Sequence, residues 1–108
     1  MVNNSDERLK TNIEESSTNA LEKIKEIIHR SFDWKENGKH INIGYIAQEL
    51  MKVDPNFVLH DEYFDTYQID LLYVLATSTK AIQELSAKVN SLEQELKEIK
   101  EMLKNKEG

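Results

Sequence analysis

Ser5 and Lys10 are the pair in this chain whose types could do covalent chemistry. A serine hydroxyl is a poor nucleophile at neutral pH and needs a base. Lysine acts as that base only when unprotonated. Burial favours its neutral form, and a nearby cation helps. Arg8 is the nearest candidate cation, whereas Asp6 and Glu7 would oppose the shift if they came close. The spacing does not join Ser5 to Lys10 by itself. On a strand an odd offset puts two side chains on opposite faces. On a helix, positions i and i+5 do not face each other. A turn between them, or residues of a neighbouring subunit, must close the gap, and the second route would make the chemistry wait for assembly.

The elements that must position this pair follow from the pattern downstream. Residues 1–12 are polar and aperiodic, with Val2 and Leu9 as apolar anchors and Ile13 just beyond. Residues 14–18 read as a polar linker. Asn19 with Glu22 fits a capping box. Behind it, Leu21, Ile24, Ile27 and Ile28 share one helical face. His29 then reads as a cation at the C-terminus of that helix. Phe32-Asp33-Trp34 and Ile41-Asn42-Ile43 alternate around Asn37-Gly38, a hairpin signal with room for a loop of more than two residues. Trp34 and Phe32 read as core aromatics. Residues 45–52 read as a short helix with Ile46 and Leu50 inward, ended by Pro55, with Asp54 extended before it. Phe57-Val58-Leu59 is a candidate strand. Residues 61–67 read as irregular, with Tyr63, Phe64 and Tyr67 docked on neighbouring elements.

Residues 69–106 read as one helix about 55 Å long, capped by Asp65 or Thr66. Its apolar residues form a heptad seam. Leu75, Ile82, Val89, Leu96 and Leu103 take position a; Leu71, Ser78, Leu85, Leu92 and Ile99 take d, with Ser78 the polar break. Lys88 with Glu93, and Glu95 with Lys100, then pair g to e with opposite sign, which favours a parallel homo-oligomer. Val89 with Leu92 leans dimeric and Leu96 with Ile99 leans higher, so the heptads leave stoichiometry open.

Size argues the same way. With 108 residues and no cysteine, and with the long helix set aside, little is left to build a globular core. Oligomerisation is the remaining way to enlarge it. The net charge of −6 opposes nucleic-acid binding as the main role. The longest apolar run, residues 71–76, is far too short for a membrane span. Met1-Val2-Asn3-Asn4 has neither the basic region nor the apolar core of a secretory leader, so none is expected. His29, His40 and His60 lack metal-ligand spacing, and no metal or other cofactor is expected. Gly38 and Gly44 form no phosphate-binding loop.

Ser5-Asp6-Glu7-Arg8-Leu9-Lys10-Thr11-Asn12-Ile13 resembles the opening signature of the intramolecular chaperone auto-processing domain, the peptidase S74 type found at the C-terminus of phage tailspike, tail fibre and neck appendage proteins. Gly44-Tyr45-Ile46-Ala47-Gln48-Glu49-Leu50, followed by Pro55, resembles the second block of that family, and a long C-terminal helix completes the likeness. The resemblance implies an α+β fold: a small helix and β-hairpin head, then a long helix in a parallel trimeric coiled coil. It divides the chain into an upstream stub (1–4), an auto-processing head (5–68) and a coiled-coil helix (69–108). It implies a self-cleaving serine peptidase in which Ser5 attacks the carbonyl of Asn4 and Lys10 takes the proton. Arg8, Gln48 and Glu49 are possible supporting residues. The implied partners are two further copies of the chain and an upstream β-rich fibre or spike segment of the same polypeptide, assembled in the host cytoplasm and ending in the virion tail. Membrane and nucleic acid are not among the implied partners. Two alternatives stand beside this reading: a trimerisation module without proteolysis, and the same self-cleaving module in a membrane-tethered transcription factor.

Overall fold

Asn19 precedes the first regular helix, but its side chain makes no capping bond. The computed structural model describes residues 4–107, so the first three residues of the expected upstream stub lie outside the described residues. The helix is α1 (Ala20–Glu26). In place of the expected capping box, the N–H of Leu21 donates to Glu84 Oε2 at 2.7 Å, and Lys80 Nζ donates to the carbonyl of Thr18 at 2.6 Å. A partner on a distant helix has replaced the local cap. The small side chains of Ala20 and Ala81 are both buried, which lets the two helices approach closely. The helix stops at Glu26 because Ile27 is extended (ψ 133°). Ile28 therefore leaves the apolar face and is exposed. His29, expected at a helix terminus, instead packs against the ring of Tyr45 at 5.5 Å.

The first hairpin forms as its turn signal indicates. Strand β1 (Arg30–Asp33) pairs antiparallel with β2 (His40–Gly44), with Phe32 opposite Ile41 and a bulge between Arg30 and Phe32. Gly38 supplies the positive φ of 72°. The loop is longer than two residues: Trp34 N–H donates to the Lys39 carbonyl at 2.9 Å and Gly38 N–H to the Trp34 carbonyl at 2.7 Å. Trp34 is not core. It is 53% exposed and stands edge-on to Phe32 at the hairpin end, where none of the described residues buries it.

Helix α2 (Ala47–Val53) buries Leu50 as expected. Asp54 is extended, and a 3₁₀ turn follows at Pro55–Phe57. Phe57 belongs to that turn rather than to a strand and is fully buried. A second hairpin then appears where irregular chain was expected. Strand β3 (Val58–Asp61) pairs antiparallel with β4 (Thr66–Ile69). Its turn is built by the Asp61 carboxylate, which accepts from the N–H groups of Tyr63 and Phe64 at 2.9 and 3.2 Å, and by Asp65 at φ 51°. Carboxylate-nucleated turns carry no glycine signature. Tyr63 and Phe64 do not dock: they project at the tip, 88% and 70% exposed.

Helix α3 (Leu71–Glu107) runs 37 residues, about 55 Å. Because β4 occupies Thr66–Ile69, the cap is Asp70, whose carboxylate accepts the Tyr73 N–H at 3.0 Å. The core is small: Leu50, Phe57 and Val74, flanked by Ile27, Tyr45, Val53, Val58, Ile69 and Tyr73. The helix meets the head through Val74, Thr77 and Ala81, all buried. Those residues fall on g and c positions, to one side of the a/d stripe and not on it. The apolar seam from Leu71 to Leu103 is therefore left uncovered by its own head, each residue 44–68% exposed. Ser78, the polar d position, returns its hydroxyl to the Val74 carbonyl at 2.8 Å. The molecule is an α+β head with two hairpins on a projecting rod, 73 × 42 × 23 Å. Its radius of gyration of 20.7 Å far exceeds the ~13 Å of a compact chain this size. No described helix is long and apolar enough to cross a membrane.

Candidate functional site

The stretch around Ser5 is shaped by one carboxylate. Asp6 is extended (φ −63°, ψ 133°) and its side chain accepts the N–H of Arg8 at 2.8 Å, capping a 3₁₀ turn at Glu7–Leu9. The same carboxylate takes both Nε and Nη2 of Arg8, at 3.0 and 2.8 Å. This Arg8 guanidinium and the backbone bond hold Asp6 below the usual carboxylate range, and Asp6 in turn raises Arg8. Arg8 thus spends its charge on Asp6, fastening the turn. Lys10 N–H closes it on the Glu7 carbonyl at 3.1 Å.

The turn shortens the path between Ser5 and Lys10, and Lys10 Nζ donates to Ser5 Oγ within one chain. The turn is thus sufficient to bring the two side chains together within one chain. Upstream, the side-chain carbonyl of Asn4 accepts the Asp6 N–H at 3.4 Å, which orients the residue before Ser5. An open hollow of about 380 Å³ belongs to the distal rod, whereas one of about 320 Å³, lined by Asn4, Asp6, Arg8 and Leu9, flanks the Asn4-Ser5 bond. Ser5 and Lys10 are both exposed. The dry surroundings that a lysine base requires are not supplied by this single chain.

Gln48 and Glu49 lie elsewhere in the head, on the first turn of α2, and neither shares a hydrogen bond with Ser5 or Lys10 among the described residues. Glu49 accepts two parallel bonds from Arg30, at 3.0 and 2.7 Å, tying β1 to α2. This fork holds Glu49 below its ordinary value and raises Arg30. Gln48 borders a groove of about 620 Å³ between the two hairpins, walled by Phe32, Trp34, Tyr45 and Tyr67. Gly44 of the same block is required by contact: a Cβ there would stand 2.9 Å from the Phe32 ring.

Asp54 escaped the sequence reading as more than an extended residue before proline. Its carboxylate, 5% exposed, pairs with Lys23 of α1, accepts Tyr73 O–H of α3 at 3.0 Å, and caps the Pro55–Phe57 turn through Asn56 N–H at 2.9 Å. Burial pushes its pKa up, but Lys23, Asn56 and Tyr73 together outweigh burial and hold it below the ordinary value. Asp-Pro at a turn start is a readable cap signal; its distant partners are not.

The sequence profile described as chaperone of endosialidase, Peptidase S74, matches residues 5–59, from Ser5 through the Glu49 block to β3. A probable tail fiber protein of Escherichia phage Phieco32 is 37% identical over 99 residues, a stretch covering 87% of this chain and 14% of that protein. The chain therefore spans a small fraction of the relative it matches.

Proposed function

The chain belongs to the chaperone of endosialidase family, Peptidase S74, and from that premise we propose that it is the C-terminal intramolecular chaperone of a phage fibre protein, releasing itself by cutting Asn4-Ser5. The observation that carries the proteolytic part is the Ser5–Lys10 hydrogen bond across the Asp6-capped turn. The family match begins at Ser5, in keeping with a cut just before it.

In the proposed reaction, Lys10 takes the proton of Ser5 Oγ as the oxygen attacks the Asn4 carbonyl carbon. The peptide C–N bond breaks, the nitrogen of Ser5 leaves with a proton returned by Lys10, and the upstream acyl group rests as an ester on Oγ. Water hydrolyses that ester, leaving a carboxylate on Asn4 and a free hydroxyl and amine on Ser5. Since both side chains are exposed in one chain, the reading requires packing against neighbouring copies to dry the site. The uncovered heptad seam supports assembly along α3, and the family resemblance, not the seam, sets the proposed number at three parallel chains. Long β-rich fibres pair slowly and misregister. A local helical coil would gather and align the chains first, and cleavage would then leave the fibre kinetically trapped. Host-side assembly and a place for the upstream product in the virion tail follow from the tail fibre relative.

A chaperone without proteolysis is the second reading, favoured by the seam alone. Processing of the wild-type chain behind its upstream segment separates the two. Mixing Ser5→Ala with Lys10→Ala chains tests the pairing: a dyad formed within each chain predicts that mixed trimers stay uncut, and restored cleavage would move the dyad to the subunit boundary.

A further inference from the structure

The arm that carries Ser5 and Lys10 is tied to itself before it is tied to anything else. Among the described residues, the hydrogen bonds of residues 4–13 stay within that stretch. Its apolar residues Leu9 and Ile13 are 67% and 66% exposed, so packing does little to hold it. The Asp6-capped turn therefore sets the two side chains relative to each other, but not relative to the rest of the molecule. Ties to the rest come at Thr18 and Leu21, and both end on α3, at residues one turn apart. Lys80 Nζ donates to the Thr18 carbonyl at 2.6 Å, and Leu21 N–H donates to Glu84 Oε2 at 2.7 Å. Lys80 and Glu84 also pair with each other at 3.6 Å. Upstream of this clamp, Glu15 and Ser16 border a hollow shared with Thr79, Lys80 and Gln83, which places that part of the arm beside α3.

We infer that Lys80 and Glu84 are positioning residues for the cut at Asn4-Ser5: they fix the direction in which the arm leaves α3, and so where Ser5 and Lys10 lie once helices assemble. The inference rests on the proteolytic reading above. Capping α1 requires only the Leu21 bond. The Thr18 carbonyl lies before the helix and already accepts the Ala20 N–H at 3.0 Å, so Lys80 is not there to satisfy an orphaned group. Hydrogen bonds are directional. Two of them, to a carbonyl and to an N–H on either side of the helix start, fix an angle where one would leave a swivel. Lys80 and Glu84 fall on f and c positions, off the a/d seam, so the clamp orients the arm without entering the helix contacts. A dyad exposed in one chain needs a defined place against its neighbours to be dried. Misplacement by about 1 Å costs up to about a hundredfold in rate.

The test follows first-order self-cleavage of this chain behind its own upstream segment, at rising protein concentration. The plateau rate reports the assembled chains, and the concentration at half-plateau reports assembly. Lys80→Met combined with Glu84→Ala is expected to lower the plateau about tenfold or more and to leave the half-plateau concentration unchanged. Lys80→Arg and Glu84→Gln keep the donor and the acceptor, and each is expected to hold the wild-type plateau. A clamp that only stabilised the fold would move the half-plateau concentration instead, and its slowing would vanish at high concentration. That result, or a wild-type plateau in the double variant, overturns the positioning role. Should the double variant not assemble, Lys80→Met and Glu84→Ala are read singly in the same way, and failure of both to assemble makes the pair structural and overturns the role too. A wild-type chain that assembles and stays uncut overturns the proteolytic reading, and this inference with it.

Discussion

Asp54→Asn is the substitution that most sharply separates charge from shape in the head. The amide keeps the volume and, through its oxygen, can still accept the Asn56 N–H. Its NH₂ group then faces Lys23 and the Tyr73 hydroxyl, donor against donors. A hydrogen bond to a charged group contributes about 1.5–3 kcal/mol, and removing one partner of a fully buried pair costs about 3–5 kcal/mol. Lys23 is 30% exposed and can recover some water, so the lower part of that span applies, about 2–3 kcal/mol. The sign with pH is fixed. Asp54 is held below its unfolded value, so its contribution is present above about pH 4 and is lost as pH falls through the lower folded value. Urea unfolding of wild type and variant, at one protein concentration, is expected to differ by about 2–3 kcal/mol at pH 7 and to converge in strong acid. An equal gap at both pH values, or none at pH 7, would refute the reasoning.

Gly44→Ala sets a Cβ against the Phe32 ring at 2.9 Å and is expected to destabilise the head by about 1–2 kcal/mol, read by urea unfolding. Asp6→Ala frees both the turn and Arg8, and self-cleavage, followed on a gel, is expected to slow roughly ten- to a hundredfold as Ser5 and Lys10 lose their approach. Leu85→Asp with Leu92→Asp places charge on the exposed seam but far from the head core. Sedimentation is expected to show monomers, with the near-ultraviolet signal of the core pair Phe57 and Tyr73 retained.

Local signals carried much of this fold. Asn37-Gly38 located the first hairpin, and heptad periodicity located α3 and the uncovered stripe along it. The misses share one cause: each element is completed by a partner far along the chain. Glu84 caps α1, so the Asn19-Glu22 pattern was a plausible but unused local solution. Lys23 and Tyr73 make Asp54 a junction, which no spacing rule reports. The second hairpin turns on Asp61 and Asp65 rather than glycine, so it read as irregular chain, and its aromatics read as docked because apolar side chains usually are. At the site, the residue types Ser5 and Lys10 were legible, but their contact was not. It depends on Asp6, a capping carboxylate that the sequence reading considered only for its charge.

The central claim is that Ser5 and Lys10 cut the bond before Ser5. Intact-mass spectrometry of this chain produced behind its own upstream segment tests it most directly, beside Ser5→Ala and Lys10→Arg, the latter keeping the charge but unable to serve as a base. The account predicts a fragment beginning at Ser5 in the wild type and the uncut mass in both variants. An assembled wild-type trimer that keeps its full mass would contradict it.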